Sequence, residues 1–334
     1  MAKGIRIQDR DREILKEIIN FNGLPASVII KNHFKTKKYG YARLKLLEKN
    51  GYVSNTYYYA QNKKNGKKFA QRISAIYYAT SLGCREVDCP TDYRYVVPNE
   101  DKLDVTNLVG NLYSRIPNLL SKRQAMEEYG LKGFMPVTCA IPNENPIFIY
   151  ILGNKLGRNE IGATKNFIES YPAPATHYVI SRDFKDRLNI QKANFVLWRL
   201  ALEYLPNLAK DENYYLNEFL KIIQRELPGI RLLNNTQPLL RVQYGNQVLH
   251  LGELISGSNH LRFILQEPPE NTIIYSPSRV HFYKIKLKSE KDSFIFYSQK
   301  DKGFFRMFLS EKNRMHSVKH KLRMWRNILE KKNT

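Results

Sequence analysis

A chain of 334 residues is long enough for two or three domains, and a hydrophobic content of 43% places it in the globular class. No run of about 18 apolar residues exists to span a bilayer, and the opening Met1-Ala2-Lys3-Gly4-Ile5-Arg6 lacks the apolar stretch of a secretory signal, so a cytoplasmic, DNA-associated location is the expectation. The net charge of +23 sits at the ends: residues 1–72 hold 17 Lys/Arg against 5 Asp/Glu, residues 73–278 hold 21 of each, and residues 279–334 hold 16 against 5. Such polarity suits a polyanion whose condensed counterions are released on binding. A membrane surface fits less well, because the basic stretch 61–68 has no neighbouring Trp or Leu wedge.

In chain order, the first helix starts near Asp9 or Asp11 as caps, carries Ile14, Leu15, Ile18 and Ile19 at helical spacing, and stops at Asn22-Gly23. A short second helix runs from about Pro25 to Asn32, with Pro25 in its first turn. The third spans about Lys37 to Lys49 and ends at Gly51. Gly40, Leu44 and Leu47 share one face of it, leaving Lys38, Tyr39, Tyr41, Ala42, Lys45 and Lys49 to the other. Two strands, Tyr52 to Ala60 and Phe69 to Tyr78, flank a polar tip with Asn65-Gly66 as the tight turn and Lys63, Lys64, Lys67 and Lys68 around it. Three helices followed by a basic hairpin is the layout of a winged helix-turn-helix, whose third helix enters the major groove of DNA. A small helical domain with a solvated basic face is the bland alternative.

Residues 83–104 are rich in breakers and read as a linker. Helices follow at Val105 to Tyr113 and Ser121 to Tyr129, then strands Phe134 to Ile141 and Pro146 to Leu152, a helix Asn159 to Ser170 and a strand His177 to Ser181. That order is the core of the PD-(D/E)XK nuclease-like fold, whose enzymes hold a metal through a carboxylate on one strand and an acidic-x-Lys tripeptide on the next. The first strand here offers Val137, Thr138 and Cys139 and the second Ile149, Tyr150, Ile151 and Leu152, with no ionisable pair. Glu160 and Lys165 fall on the following helix, where a solvated face is the ordinary role. Cys84, Cys89 and Cys139 make no full disulfide set and have no neighbouring His to complete a zinc site, so they read as reduced thiols.

Three stretches, Asp9-Arg10-Asp11-Arg12-Glu13-Ile14-Leu15, Tyr41-Ala42-Arg43-Leu44-Lys45-Leu46-Leu47-Glu48-Lys49-Asn50-Gly51-Tyr52-Val53 and Pro146-Ile147-Phe148-Ile149-Tyr150, resemble the bacterial replication-relaxation proteins. The resemblance covers roughly residues 9–181. It implies a winged helix paired with a nuclease-like domain, on a plasmid, phage or other mobile element. The strand that reads Phe-Ile-Glu-Val-Gln in many relatives is here Phe148-Ile149-Tyr150-Ile151-Leu152, with Tyr150 in place of the acidic residue.

Farther on, Lys192 to Leu205 and Tyr214 to Glu226 read as helices, and Gln237 to Leu254 as a hairpin turned at Gly245-Asn246. Leu261 to Tyr275 reads as a strand, while His250 and His260 stand alone with ordinary structural roles. Val280 to Lys288 alternates as a strand with one basic face, and Met315, Val318, Leu322, Trp325 and Leu329 mark a terminal amphipathic helix. The fold expected is α+β: a winged helix-turn-helix at 1–82, a linker at 83–104, a nuclease-like α/β domain without catalytic residues at 105–190, and a C-terminal α+β domain at 191–334 ending in a basic helix.

The function expected is a non-catalytic DNA-binding protein controlling replication or transcription of a mobile element. Its partner is double-stranded DNA, self-association is left open, and no cofactor or metal is expected. Lys37, Lys38, Tyr39, Tyr41 and Lys45 would face the groove, and Arg43, Lys63, Lys64, Lys67 and Lys68 would hold phosphates. Lys319, Arg323 and Arg326 would supply a second contact, two weak sites on one chain reinforcing each other. Two alternatives remain: a metal-dependent nicking or cleaving nuclease with an unrecognised site, and an RNA-binding or adaptor protein, favoured by the aromatic and basic C-terminal end.

Overall fold

A computed structural model describes residues 5–64, 67–89, 100–132, 135–153, 158–182, 190, 192–234, 239–255, 261, 264, 269, 271–277, 293–300, 302–308 and 315–317. These residues are mixed α+β, with helices and three sheets. They fall into two compact units, residues 1–167 with 172–175 and residues 168–171 with 176–334.

In the first unit, helix α1 (Asp9–Asn20) opens on a reciprocal capping box. Gln8 is the N-cap, and the Asp11 carboxylate accepts from the Gln8 N–H at 2.8 Å. Asp11 therefore serves as the third helical residue of the box, and neither it nor Asp9 is the cap itself. The Asn-Gly stop occurs as expected, with Asn22 at φ 52 and Gly23 at φ 116, and the Gly23 N–H closes onto the Ile18 carbonyl at 2.8 Å. Pro25 is extended, at φ −61 and ψ 139, and caps the second helix from outside its first turn. It belongs to a two-residue strand, β1 (Leu24–Pro25), followed by α2 (Ala26–His33) and α3 (Lys37–Lys49). Strands β2 (Val53–Lys64) and β3 (Lys67–Ala79) pair antiparallel over their whole length, and β1 adds to the far side of β3 through Leu24 opposite Tyr77, giving the order β1-β3-β2.

The stretch expected as a linker is helical at both its ends. Helix α4 (Ser81–Glu86) is capped by Thr80, whose side chain accepts from the Gly83 N–H at 3.2 Å, and α5 (Glu100–Tyr113) begins before the apolar periodicity does. Local breakers favour a loop there, but tertiary packing decides. Helix α5 lies against β1, where a Cβ on Gly110 would collide with the Pro25 ring, and the Tyr113 ring meets Phe21 at 4.4 Å. Beyond it come β4 (Leu120–Ser121), α6 (Lys122–Tyr129), β5 (Cys139–Ile141) and β6 (Ile147–Ile151), with β4, β5 and β6 antiparallel in that order. A capping box at Ser121 and Gln124 starts α6, and Gly130 in the left-handed region ends it. Helix α7 (Arg158–Ser170) follows.

In the second unit, β7 (Thr176–Ser181) and β8 (Ala193–Leu197) pair in parallel. The expected helix from Lys192 thus begins late: Ala193 to Leu197 is a strand, and only α8 (Trp198–Leu208) is helical. Ala193, Phe195, Val196 and Leu197 are buried, and a short run apolar on both faces cannot be told from a helix by periodicity. Helix α9 (Tyr214–Glu226) has the expected bounds and packs Phe219 flat on Tyr275, ring centroids 5.0 Å apart. The seven-stranded sheet comprises β9 (Arg231–Asn234), β10 (Leu240–Tyr244), β11 (Gln247–Glu253), β12 (Thr272–Ser276), β13 (Ser293–Ser298), β14 (Gly303–Phe308) and β15 (Met315–Ser317). Its order is β15-β14-β13-β12-β11-β10-β9, parallel across β11-β12-β13 and antiparallel elsewhere.

Two further expectations change here. Only Thr272 onward is strand, while Leu261 and Ile264 are helical, because parallel β11 and β12 require a crossover between them. Met315 to Ser317 pairs with β14 and so does not start a helix; side-chain spacing carries no trace of that edge. The basic stretch 280–288 and residues 318–334 lie outside the described residues. No helix among the described residues is long and apolar enough to cross a membrane.

Gly83 tests how tightly α4 is seated. A Cβ there would strike the Tyr52 carbonyl oxygen and lie 3.0 Å from Leu15 Cδ2, whereas a Cβ on Gly162, within α7, meets nothing inside 4 Å. In denaturant unfolding, Gly83→Ala is expected to lose about 1–3 kcal/mol. Gly162→Ala is expected to be neutral or to gain up to about 1 kcal/mol, since alanine is the better helix former.

Candidate nucleic-acid interface

Helix α3 sits between the turn after α2 and the first strand of the hairpin, and its two faces differ in chemistry. Gly40, Arg43, Leu44 and Leu47 are buried. Gly40 is needed for the close approach: a Cβ would come within 2.9 Å of Ile30 Cγ1 and 3.2 Å of Phe34 Cδ2. Outward stand Lys37, Lys38, Tyr39, Tyr41, Ala42, Lys45, Leu46 and Lys49, all exposed. Lys38, Tyr41, Ala42, Lys45 and Lys49 follow one another at spacings of three, one, three and four, a continuous stripe along the helix. No ion pair among the described residues involves Lys37, Lys38, Lys45 or Lys49. Glu48 is the helix's acidic residue, and it accepts from Asn55 Nδ2 at 2.6 Å. Thr36 makes no capping hydrogen bond, so the first-turn N–H groups keep their partial positive charge beside Lys37 and Lys38.

Arg43, expected to hold a phosphate, belongs instead to the framework. Its side chain is 9% exposed and forks onto Asp11, which is fully buried, with Nε donating to Oδ1 at 3.0 Å and Nη2 to Oδ2. Nη2 also donates to the Arg6 carbonyl at 2.8 Å. The hydrogen bond to Asp11 raises the Arg43 guanidinium above its ordinary value against the opposing effect of burial. The physical reason for the correction is geometric: position 43 lies three residues after Gly40 and beside Leu44, on the inward face.

Sequence reasoning missed Arg10 and Lys35. Arg10 lies over the Phe34 ring at 4.5 Å and the Tyr39 ring at 5.2 Å, and Nη2 donates to Tyr39 Oη at 3.2 Å. It thereby orients the Tyr39 ring, which also meets Phe34 edge-on at 5.7 Å. A separation of 29 residues leaves no local signal for this contact. Lys35 is exposed in the turn before α3, and turn position alone could have nominated it.

Along the hairpin, Tyr57 and Tyr59 point outward with ring centroids 6.5 Å apart, while Tyr58 packs inward on Ile76, Tyr78 and Leu103. The register sets Lys63 opposite Lys68 and Lys64 opposite Lys67, so two cross-strand pairs of lysine positions end the hairpin. An irregularity between Tyr58 and Tyr59 interrupts the pairing below them. Residues 65 and 66, and Lys319, Arg323 and Arg326, lie outside the described residues.

At the position where the resemblance implies an acidic ligand, Tyr150 is fully buried in β6, its ring 6.2 Å from Phe167. Glu160 is exposed on α7. Among the described residues no three His, Cys, Asp or Glu side chains gather as a metal site would require. No family model matches this chain, nor does any curated protein or solved structure.

Arg43 and Lys45 separate framework from surface. Asp11→Ala strands a buried guanidinium and is expected to lower unfolding stability by about 3–5 kcal/mol. Lys45→Ala is expected to stay within about 0.5 kcal/mol of the parent in the same urea titration. Equal losses from the two substitutions would contradict the assignment.

Proposed function

We propose that the chain is a non-catalytic protein that binds double-stranded DNA, with α3 in the major groove and the β2-β3 hairpin as a wing on the phosphates. The order α1-β1-α2-α3-β2-β3 with sheet order β1-β3-β2 supports a winged helix-turn-helix. The observation that carries the reading is the outward face of α3: lysines without acidic partners among the described residues, the exposed Tyr39 and Tyr41, and the small Ala42 beside Tyr41. Lysine can donate to the acceptor edge of guanine, and Tyr and Ala can lie against a thymine methyl, so such a stripe reads base edges as well as charge. The lysine pairs at the hairpin tip suit the phosphate backbone, which positions a protein without specifying sequence.

The resemblance to replication-relaxation proteins supports a role in controlling replication or transcription on a mobile element. Tyr150, enclosed where a metal-binding carboxylate would stand, favours a nuclease-like domain used for assembly or recognition over one that cuts. The basic C-terminal segment supplies a second DNA contact through Lys319, Arg323 and Arg326.

The test is fluorescence anisotropy of labelled duplexes across a salt series. Changing Lys63, Lys64, Lys67 and Lys68 together to Ala is expected to weaken all duplexes alike and to reduce the slope of log K against log salt by roughly 0.9 for each phosphate no longer neutralised. Changing Tyr41 and Lys45 to Ala is expected to alter the ranking among sequences. An unchanged slope removes the wing, and an unchanged ranking removes α3 from the groove.

A further inference from the structure

Cys84 and Cys89 occupy an unusual place for two thiols. Helix α4 ends in a Schellman turn: Asp88 takes the left-handed position at φ 50, the Cys89 N–H donates to the Cys84 carbonyl at 2.9 Å, and the Asp88 N–H reaches the Arg85 carbonyl at 3.5 Å. This turn brings together the side chains at the two ends of its longer hydrogen bond, a place that an apolar pair ordinarily fills. Here both side chains are cysteines, and Cys89 is near enough to raise the Cys84 thiol. Both are partly exposed, whereas Cys139 is buried in β5.

We propose that Cys84 and Cys89 are a thiol–disulfide site, oxidised to an intramolecular bridge by small disulfides of the glutathione class. The backbone of the turn sets the two side chains side by side before any reaction, so the second step of the exchange is intramolecular. Burial first, and then the neighbouring Cys89, push the Cys84 thiol up to about 11, so its thiolate is scarce near neutral pH and exchange through it quickens as the pH rises.

The chemistry balances. One thiolate of the pair attacks one sulfur of glutathione disulfide, whose S–S bond breaks and releases one glutathione thiolate, leaving a mixed disulfide on that cysteine. The thiolate of the other cysteine then attacks the protein sulfur of that mixed disulfide and expels the second glutathione thiolate. Two electrons pass from the protein sulfurs to glutathione, and the two thiol protons end on the two glutathione molecules.

The experiment uses the full chain. Equilibrate it over a range of oxidised-to-reduced glutathione ratios, quench in acid, alkylate under denaturing conditions and digest with trypsin. Arg85 lies between the two cysteines, so a bridge keeps peptides 73–85 and 86–94 joined until reduction, while Cys139 is recovered alkylated. Cys84→Ser and Cys89→Ser each remove one partner and are expected to hold glutathione on the cysteine that remains, at roughly tenfold the parent's level. Alkylation of both thiols at every ratio, or stable glutathionylation of the parent in place of the bridge, overturns the proposal. Failure of both serine variants to hold glutathione overturns it as well.

Discussion

Much of the N-terminal architecture hangs on one carboxylate. Asp11 completes the capping box of α1 through the Gln8 N–H and grips Arg43 of α3 through the fork of its guanidinium. Burying either charge alone would cost several kcal/mol, so each is tolerated because the other is present and oriented. Arg43 also holds the Arg6 carbonyl, which ties the segment before α1 to the same junction. The angle at which α3 leaves the core, and hence the direction its stripe faces, is set by this polar clamp together with the contact of Gly40 on Ile30.

On that framework the exposed chemistry is sorted by role. Cations that stabilise the fold are committed elsewhere: Arg12 to Asp9 and Glu86, Lys31 to the Ser114 carbonyl, Arg43 to Asp11. Glu86 hydrogen-bonds Arg12 and raises its guanidinium above the ordinary value. Lys37, Lys38, Lys45 and Lys49 carry no such commitment among the described residues, which leaves them available to phosphates or base edges. Tyr39 is intermediate in character: exposed, yet held by Arg10 and Phe34, it can present its ring without first losing rotamer freedom.

Where side-chain periodicity is strong, the elements are legible in the sequence. The helices α1, α3, α7 and α9 and the hairpins β2-β3 and β10-β11 follow from spacing and turn chemistry. Two-residue strands such as β1 and β4 carry no periodicity and exist because a neighbouring strand offers them hydrogen bonds. Ala193 to Leu197 reads as helix because burial on both faces erases the alternation that marks a strand. In the candidate site, the exposed lysines and tyrosines of α3 can be placed from spacing. Arg43 cannot be recognised as structural without its partner, since nothing local distinguishes an arginine facing phosphate from one facing Asp11.

The docking of α5 bears on where this N-terminal module ends. Tyr113 donates to Glu17 at 2.8 Å, and the same Glu17 holds His33 at 2.9 Å, so one carboxylate of α1 engages both α2 and a helix much later in the chain. Leu103 joins Ile76 and Tyr78 in a small core at the base of the hairpin. The helix therefore acts as a keel beneath the three-helix and hairpin arrangement. A chain ending where the hairpin ends would keep the outward stripe but uncover Phe21, Leu24, Ile76 and Tyr78. A piece of this chain that keeps the stripe on its folded support would therefore have to carry α1 through α5 together, and Ser114 as well, whose carbonyl holds Lys31.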